Sequence, residues 1–339
     1  RTQVFQLLLP DHRINVYPEP GGWLGEVHRE LPDVTRQAAD ITRTLGDVRA
    51  ELDLLVSRGL TWPPETFIER QQFAFTASAQ RYDRQGQGWT SWNQLALRHP
   101  LRTAFEAVLP HVSGLLPAQH SDATRGRLHG HVLDGVDEVT GGWAWFREAL
   151  FARIRSWGGD VRTRDRADSI QHRGRNGHTI RLARTDEEIG CSHIAHGTSI
   201  SELSQILPDR ASMTSMFERV GEPRSRAYRC SVHVLVDERC VPEALEPLAL
   251  VCNDATNPEN AFWVRNRPVG DGRTLFTTST LVDEHLIDTG SSPLRFVREQ
   301  AMDALRDVVP FFDEHAIWID SPHDGLPPRS LRQDIDLAC

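Results

Sequence analysis

The sequence predicts a mixed α/β protein of more than one domain, and three observations carry that expectation. The chain up to about residue 137 shows mainly helical periodicity. The stretch from Gly141 to Ile200 reads as one helix followed by three short strands, and the chain beyond Leu207 reads as strands closed by a helix. With 339 residues, the chain is long enough for two domains with sizeable cores.

Val34, Ala38, Ile41, Leu45, Val48, Leu52 and Leu55 recur in steps of four and three, a heptad rhythm over about six turns of helix. Asp33 is placed to cap its start and Gly59 to end it. Such a seam suits either a partner helix or the interior of its own domain, and the second is the commoner fate of about three heptads. Trp62-Pro63-Pro64 breaks the rhythm. Phe67, Phe73, Phe75, Tyr82, Trp89 and Trp92 follow, either as ordinary core or as the lining of an apolar cavity. Pro100 then opens another helix with Leu101, Phe105, Val108 and Leu109 on its buried side.

In the middle stretch Phe146, Ala149, Leu150, Ile154 and Trp157 lie at helical spacing, which predicts a helix able to dock one apolar face on a sheet. Gly158-Gly159 stops it, since glycine accepts the left-handed backbone of a C-cap. Ser169–Arg173 and His178–Ala183 flank the turn-forming Gly174-Arg175-Asn176-Gly177, and Glu188–Ala195 supplies a third strand. Further on, Arg229–Val236, Ala261–Arg265 and Leu275–Leu281 are β-branched or aromatic runs between Pro, Gly and Asn clusters, which suggests an antiparallel sheet. A helix starting at Pro293 carries Phe296, Val297, Ala301, Leu305 and Val308 on one face.

Composition removes several chemistries. All 38 basic residues are arginine, so neither a lysine Schiff base nor a usual P-loop is available. A net charge of −9 argues against nucleic acid as a partner, and Arg162, Arg164 and Arg166 read as an exposed strand face. Cys191, Cys230, Cys240, Cys252 and Cys339 are odd in number and widely spaced, which fits free thiols in a reducing, cytoplasmic setting. No apolar run is long enough to cross a bilayer, and a peripheral membrane contact is compatible with the composition. Of fifteen histidines, His129 and His131 with Asp134 form the best metal-ligand cluster, yet without other close candidates, and no metal is assigned. His193 and His196, at the end of a predicted strand, are expected on opposite faces. Glu187-Glu188 reads as a solvated turn, and no Gly-x-Ser-x-Gly elbow marks a hydrolase.

The ordered set of Gly141-Gly142, helix, Gly158-Gly159, strand, hairpin and returning strand resembles the second FAD-binding segment of the phytoene desaturase and flavin amine oxidase group. Leu7–Tyr17 (LLLPDHRINVY) resembles the hairpin that opens the substrate domain in that group, and Pro293–Phe312 resembles its long returning helix. The resemblance implies an incomplete FAD/NAD(P)-binding Rossmann-like domain and a substrate domain of antiparallel sheet covered by helices. Residues 1–137 and 208–330 would form the substrate domain around a cofactor segment at 138–207, with 331–339 as a tail. It further implies an FAD-dependent oxidoreductase, acting by hydride transfer on a lipophilic, carotenoid- or isoprenoid-like small molecule. Cofactor contacts would come from Gly141 and Gly142 at the helix start, Ala167 at the adenine, and the turn Ala195, His196, Gly197 and Thr198.

The chain departs from that pattern in two places. The Gly-x-Gly-x-x-Gly turn that holds the FAD pyrophosphate is missing, Gly21-Gly22-Trp23-Leu24-Gly25 being a poor approach to it, and no Gly-Asp segment follows Ser330. The expectation is therefore an internal piece of a longer enzyme, binding FAD poorly and inactive alone. The competing expectation is a non-catalytic interaction protein built on the 34–55 helix.

Overall fold

A computed structural model describes residues 5–57, 66–76, 90–115, 122–135, 139, 141–173, 177–197, 200–207, 227–254, 258–288, 291–322 and 329–330. The chain divides into two compact units, Arg1–Val136 with Arg226–Cys339, and Asp137–Ser225.

In the first unit, β1 (Phe5–Leu9) and β2 (His12–Val16) form the N-terminal hairpin, with Phe5 opposite Val16 and Leu9 opposite His12. The helices α1 (Pro20–Glu30), α2 (Thr35–Ser57), α3 (Phe67–Thr76), α4 (Thr90–Gln94), α5 (Pro100–Ser113) and α6 (Asp122–Asp134) follow. The second unit contains α7 (Gly142–Ser156), the strands β3 (Ala167–His172), β4 (His178–Leu182) and β5 (Glu188–Cys191), and α8 (Ile200–Ile206). The chain then returns to the first unit with β6 (Ala227–Asp237), β7 (Leu248–Cys252), β8 (Ala261–Gly270) and β9 (Arg273–Asp283). It closes with α9 (Glu284–Asp288), α10 (Ser291–Val308), α11 (Phe312–His315), β10 (Ala316–Asp320) and β11 (Arg329–Ser330).

Eight strands of the first unit form one sheet in the order β11-β10-β6-β9-β8-β7-β1-β2. The expected antiparallel sheet is in fact mixed, because β1 pairs parallel with β7, Leu7 lying beside Leu250. Paired residues of these two strands lie about 240 positions apart, which is why the pairing is invisible to local pattern. Helices cover both faces. Trp23, Val34, Ala38, Ile41, Leu45, Leu101 and Phe105 pack with Phe5, Leu7, Ile14 and Leu250 on one side. On the other side Val297, Ala301 and Leu305 of α10 pack on Val232, Val234, Val264 and Phe276.

The heptad seam of α2 is therefore filled from within its own unit, with Val34 to Val48 buried and α6 packed alongside. Gly130 of α6 makes the close approach possible, since a Cβ there would stand 2.9 Å from both Leu45 O and Arg49 Cβ. Asp33 does not cap α2. It lies in a short 3₁₀ turn, Pro32–Val34, and its carboxylate faces His99 at 3.6 Å. Gly59, the expected terminator, lies outside the described residues. Helix α5 matches expectation: Pro100 is its first residue, His99 Nδ1 accepts from Leu101 N–H, and Gly114 closes it at φ +70°.

The outer strand β2 has its edge groups satisfied by α1. Glu26 accepts from Asn15 N–H at 3.1 Å, Glu30 from Arg13 N–H at 3.4 Å, and Arg29 donates to Arg13 O at 2.8 Å. An edge tied in this way is blunted as a template for another strand.

In the second unit β3, β4 and β5 pair antiparallel in that order, with Ile170 opposite Ile180 and Ile180 opposite Ile189. The third strand ends at Cys191 rather than Ala195, so His193 and His196 lie beyond it, in irregular backbone. Helix α7 forms where its pattern places it and ends with Gly158 at φ +79°. The expected docking of its apolar face is not seen: none of its residues is buried, and Trp143 is 81 % exposed.

Candidate functional site

The most varied chemistry in the first unit sits on one half of the large sheet. Along β6 the residues Cys230, Val232, Val234 and Val236 point into the α10 side, so Ser231, His233 and Leu235 point the other way. The register carries that alternation across neighbouring strands. Trp263, Ser279 and Ser231 form one row, and Arg265, Thr277, His233 and Asp320 a second. Arg267, Leu275, Leu235 and Trp318 form a third. Beneath β2, β1 and β7 this same face is sealed by α1, α2 and α5. Across β8, β9, β6 and β10 its residues are half-buried or exposed. The result is a patterned surface of hydroxyls, arginines, one imidazole, leucines and two tryptophans.

The end of α5 marks the border of this surface. His111 Nε2 lies 3.2 Å from Ala261 O, and its ring meets Trp263 edge-on at 5.9 Å. Arg229 donates to His111 O at 2.9 Å and to Ser279 Oγ at 3.4 Å, tying helix to sheet. Burial, aided by the charge of Arg229 and opposed by the bond to Ala261, pushes the His111 imidazole down to about 4. It is therefore neutral near pH 7, with Nε2 protonated by the logic of its carbonyl partner. Its Nδ1 is buried and without a hydrogen-bond partner among the described residues. Farther in, His233 Nδ1 and Thr277 Oγ1 are 3.1 Å apart.

On the opposite side of the sheet lies an open groove of about 710 Å³. Leu8, Leu245, Val251 and Val308 floor it, and Asp11, His12, Glu30 and Asp307 rim it.

The cofactor residues expected from the sequence all belong to the second unit. Gly141 is the N-cap of α7 at φ +86°, and a Cβ there would stand 2.8 Å from Trp145 Cβ, so packing alone requires glycine. Gly142 differs, with φ +67° and open space where a Cβ would be. Ala167 is half-buried at the start of edge strand β3, opposite Leu182. Ala195 and Gly197 are exposed and His196 is half-buried, in the chain after β5. Thr198 lies outside the described residues. Gly141 and Gly142 thus stand together at the start of α7, and Ala195, His196 and Gly197 follow one another after β5.

The other candidates resolve into local roles. His129 is buried against Phe105 and Trp92, His131 faces Asp53 at 3.2 Å, and Asp134 pairs with Arg49. Among the described residues no group of three metal-ligating side chains converges. Trp92 is core, in contact with Phe105, whereas Phe67 is 76 % exposed. The side chains of Phe73 and Phe75, and all of Tyr82 and Trp89, are not described. Glu187 and Glu188 pair with the exposed Arg162 and Arg173, respectively. Cys191, Cys230, Cys240 and Cys252 form no disulfide among the described residues, and burial pushes Cys252 up to about 11. The patterned sheet face was missed by sequence reasoning. Its strands alternate visibly, but which face stays open depends on the strand order.

Solved structures supply the comparison. An oxidoreductase from Methanosarcina mazei matches with a TM-score of 0.51 and 14 % identity, over 78 % of this chain and 62 % of that one. A triple mutant of a putrescine oxidase with redesigned cofactor binding matches with a TM-score of 0.50 and 13 % identity, over 91 % and 65 %. The chain shares its fold with part of each of these structures. It spans less than two thirds of the length of either structure. No known protein family matches the sequence, and no curated protein does. Among the described residues no helix is long and apolar enough to cross a membrane.

The residues at the start of α7 fit a nucleotide cofactor in one respect. No side chain caps the helix, no acidic residue stands in its first turn, and the space beside Gly142 is open, so an anionic group can come close there, although Gly142 N–H itself already donates to Val139 O at 2.8 Å.

Proposed function

We propose that the chain is part of an FAD-dependent oxidoreductase, with residues 138–207 contributing to the cofactor site and the half-open sheet face of the first unit seating the substrate. The observation that carries this reading is the insertion of a helix–three-strand unit into a sheet-and-helix unit whose fold is shared with solved oxidoreductases. The uncovered apolar face of α7 supports it, since such a helix is suited to lie on a nucleotide-binding sheet. Bound FAD supplies the acceptor for a hydride from a substrate C–H, and the protein contributes position and shielding from water.

In this reading Gly142 offers backbone to the cofactor, Ala167 meets its adenine, and the chain from Ala195 to Gly197 lies near it. On the sheet, Leu235, Leu275, Trp263 and Trp318 present apolar surface to a lipophilic, isoprenoid-like or comparable substrate. Arg229 and His111 hold the sheet and α5 together at its border. The competing reading, an interaction protein using α2, is disfavoured because the seam of that helix is already buried in its own unit.

The test is an absorption spectrum of the purified full-length protein. Flavin bands that bleach when substrate is added anaerobically are the expected result. A colourless protein that takes up no FAD on reconstitution would overturn the reading. The 339 residues alone are expected to take up FAD weakly, because their sequence holds no pyrophosphate turn.

A further inference from the structure

We propose that the facing imidazoles of His172 and His178 bind a divalent transition-metal ion of the zinc or copper class, which ties β3 to β4 at the turn end of their hairpin. The inference goes beyond the flavoenzyme reading and does not depend on it.

The three-stranded sheet builds the pair. His172 ends β3, His178 begins β4, and the antiparallel register sets them directly opposite each other, so both project from one face. The ring centres are 4.9 Å apart and the two Nδ1 atoms only 3.4 Å, so both nitrogens turn into the gap between the rings. The backbone fixes this arrangement. Arg173 N–H donates to Gly177 O at 2.9 Å, and Gly177 stands at φ +86° against the Cys191 carbonyl of β5. The charge of Arg173, the neighbour of His172, is matched by Glu188 at 3.0 Å.

The separation of the nitrogens points to the ligand. At 3.4 Å it is longer than a good hydrogen bond, and among the described residues neither imidazole has another hydrogen-bond or ionic partner. Two bonds of about 2.0–2.1 Å from these nitrogens to one ion would meet at roughly 110°, the tetrahedral value. Imidazole nitrogen suits zinc, copper and nickel, whereas magnesium and calcium take oxygen ligands. Among the described residues no group of three ligating side chains forms, so water fills the remaining positions of the ion. Two protein ligands instead of four place the affinity on the order of 10 µM. The ion binds where β3 and β4 are paired, and it therefore stabilises that pairing.

The test uses the whole, untagged protein, titrated calorimetrically with zinc sulfate at neutral pH, and excess magnesium should not compete. His172→Gln and His178→Gln should each weaken zinc binding about tenfold or more, while His131→Gln and Cys191→Ser should leave it within about twofold. With copper(II) as the probe, the electron paramagnetic spectrum should show two coupled imidazole nitrogens in the parent and no more than one in either variant. Zinc should also slow amide exchange in β3 and β4 and leave β6 and β9 unaltered. If the half-buried His178→Gln does not fold by circular dichroism, His172→Gln, at an exposed position, decides. No zinc binding up to about 1 mM, the parent affinity retained in His172→Gln, or a copper spectrum with a single imidazole in the parent would each overturn the proposal.

Discussion

Helices α5 and α7 are near twins in length and apolar content, yet they end in opposite environments. Of the 14 residues of α5 nine are buried, whereas none of the 15 residues of α7 is. Leu101, Phe105, Val108 and Leu109 close over the sheet, while Trp143, Phe146, Leu150 and Ile154 face outward. Periodicity therefore declares that a helix owns an apolar face. It does not declare what covers that face, and the stability each residue contributes depends on the cover.

The largest effect is expected where the core of the first unit is cut. Trp23 is 2 % exposed, stacks edge-on with Phe105 at 5.7 Å and donates to Thr42 Oγ1. Trp23→Ala should cost about 3–5 kcal/mol in denaturant unfolding. Trp143→Ala on α7 should stay within about 0.5 kcal/mol. Comparable losses at the two sites would mean that α7 is covered, and the contrast would collapse.

A second, pH-dependent loss belongs to the border of the sheet face. His111 has its folded value near 4 against an ordinary 6.5, so between those limits the unfolded chain binds the proton more readily. Its stabilisation is full above about pH 6.5 and fades as pH falls towards 4, by up to about 3 kcal/mol. His111→Gln should flatten that part of the stability–pH curve, measured by thermal melts from neutral to acid. An unchanged slope would show that the imidazole is not held neutral in the fold.

Within the second unit the tightest constraint is the turn before β4. Gly177 has φ +86°, and a Cβ would press on the Cys191 carbonyl. Gly177→Ala should destabilise β3–β5 by about 2 kcal/mol and raise their amide exchange, leaving exchange in β6 and β9 unaltered. Loss of protection in both units together would show that they unfold as one.

The smallest effect concerns the protected edge of β2. Burial raises the Glu26 carboxyl, but bonds from Arg29 and from Asn15 N–H outweigh it and leave the group below its ordinary 4.5. The stabilisation it supplies is present above that value and is lost as pH falls through the lower, folded one. Glu26→Gln should cost about 1 kcal/mol near neutral pH and less in acid, read from urea midpoints.

Much of the architecture could be read from local pattern. The starts of α5 and α7 and the strands β6, β8 and β9 follow from alternation, proline and glycine, whereas the hairpin of β1 and β2 is expected only from the family resemblance of Leu7–Tyr17. Strand β7, Leu248–Cys252, left no such trace, because its residues are buried on both faces and a five-residue apolar run has no diagnostic period. Strand β10, Ala316–Asp320, is as short and directly follows α11. The parallel pairing of β1 with β7 joins residues some 240 positions apart, beyond any local signal. For the same reason the row of Arg267, Leu275, Leu235 and Trp318 could not be assembled until strand order was known. The glycines of α7 were legible as glycines, but only the structure separates Gly141, needed for Trp145, from Gly142, which borders open space.

That last distinction gives the most direct test of the cofactor assignment. Gly142 and Gly158 bound the same helix at φ +67° and +79°, and neither would crowd a Cβ, so Gly142→Val and Gly158→Val impose matched backbone strain. FAD affinity is measured for both by fluorescence titration of the flavin-stripped full-length protein. The account predicts that Gly142→Val weakens FAD binding about tenfold and that Gly158→Val leaves it unchanged. Equal affinities in the two variants, or no FAD binding by the parent protein, would contradict it.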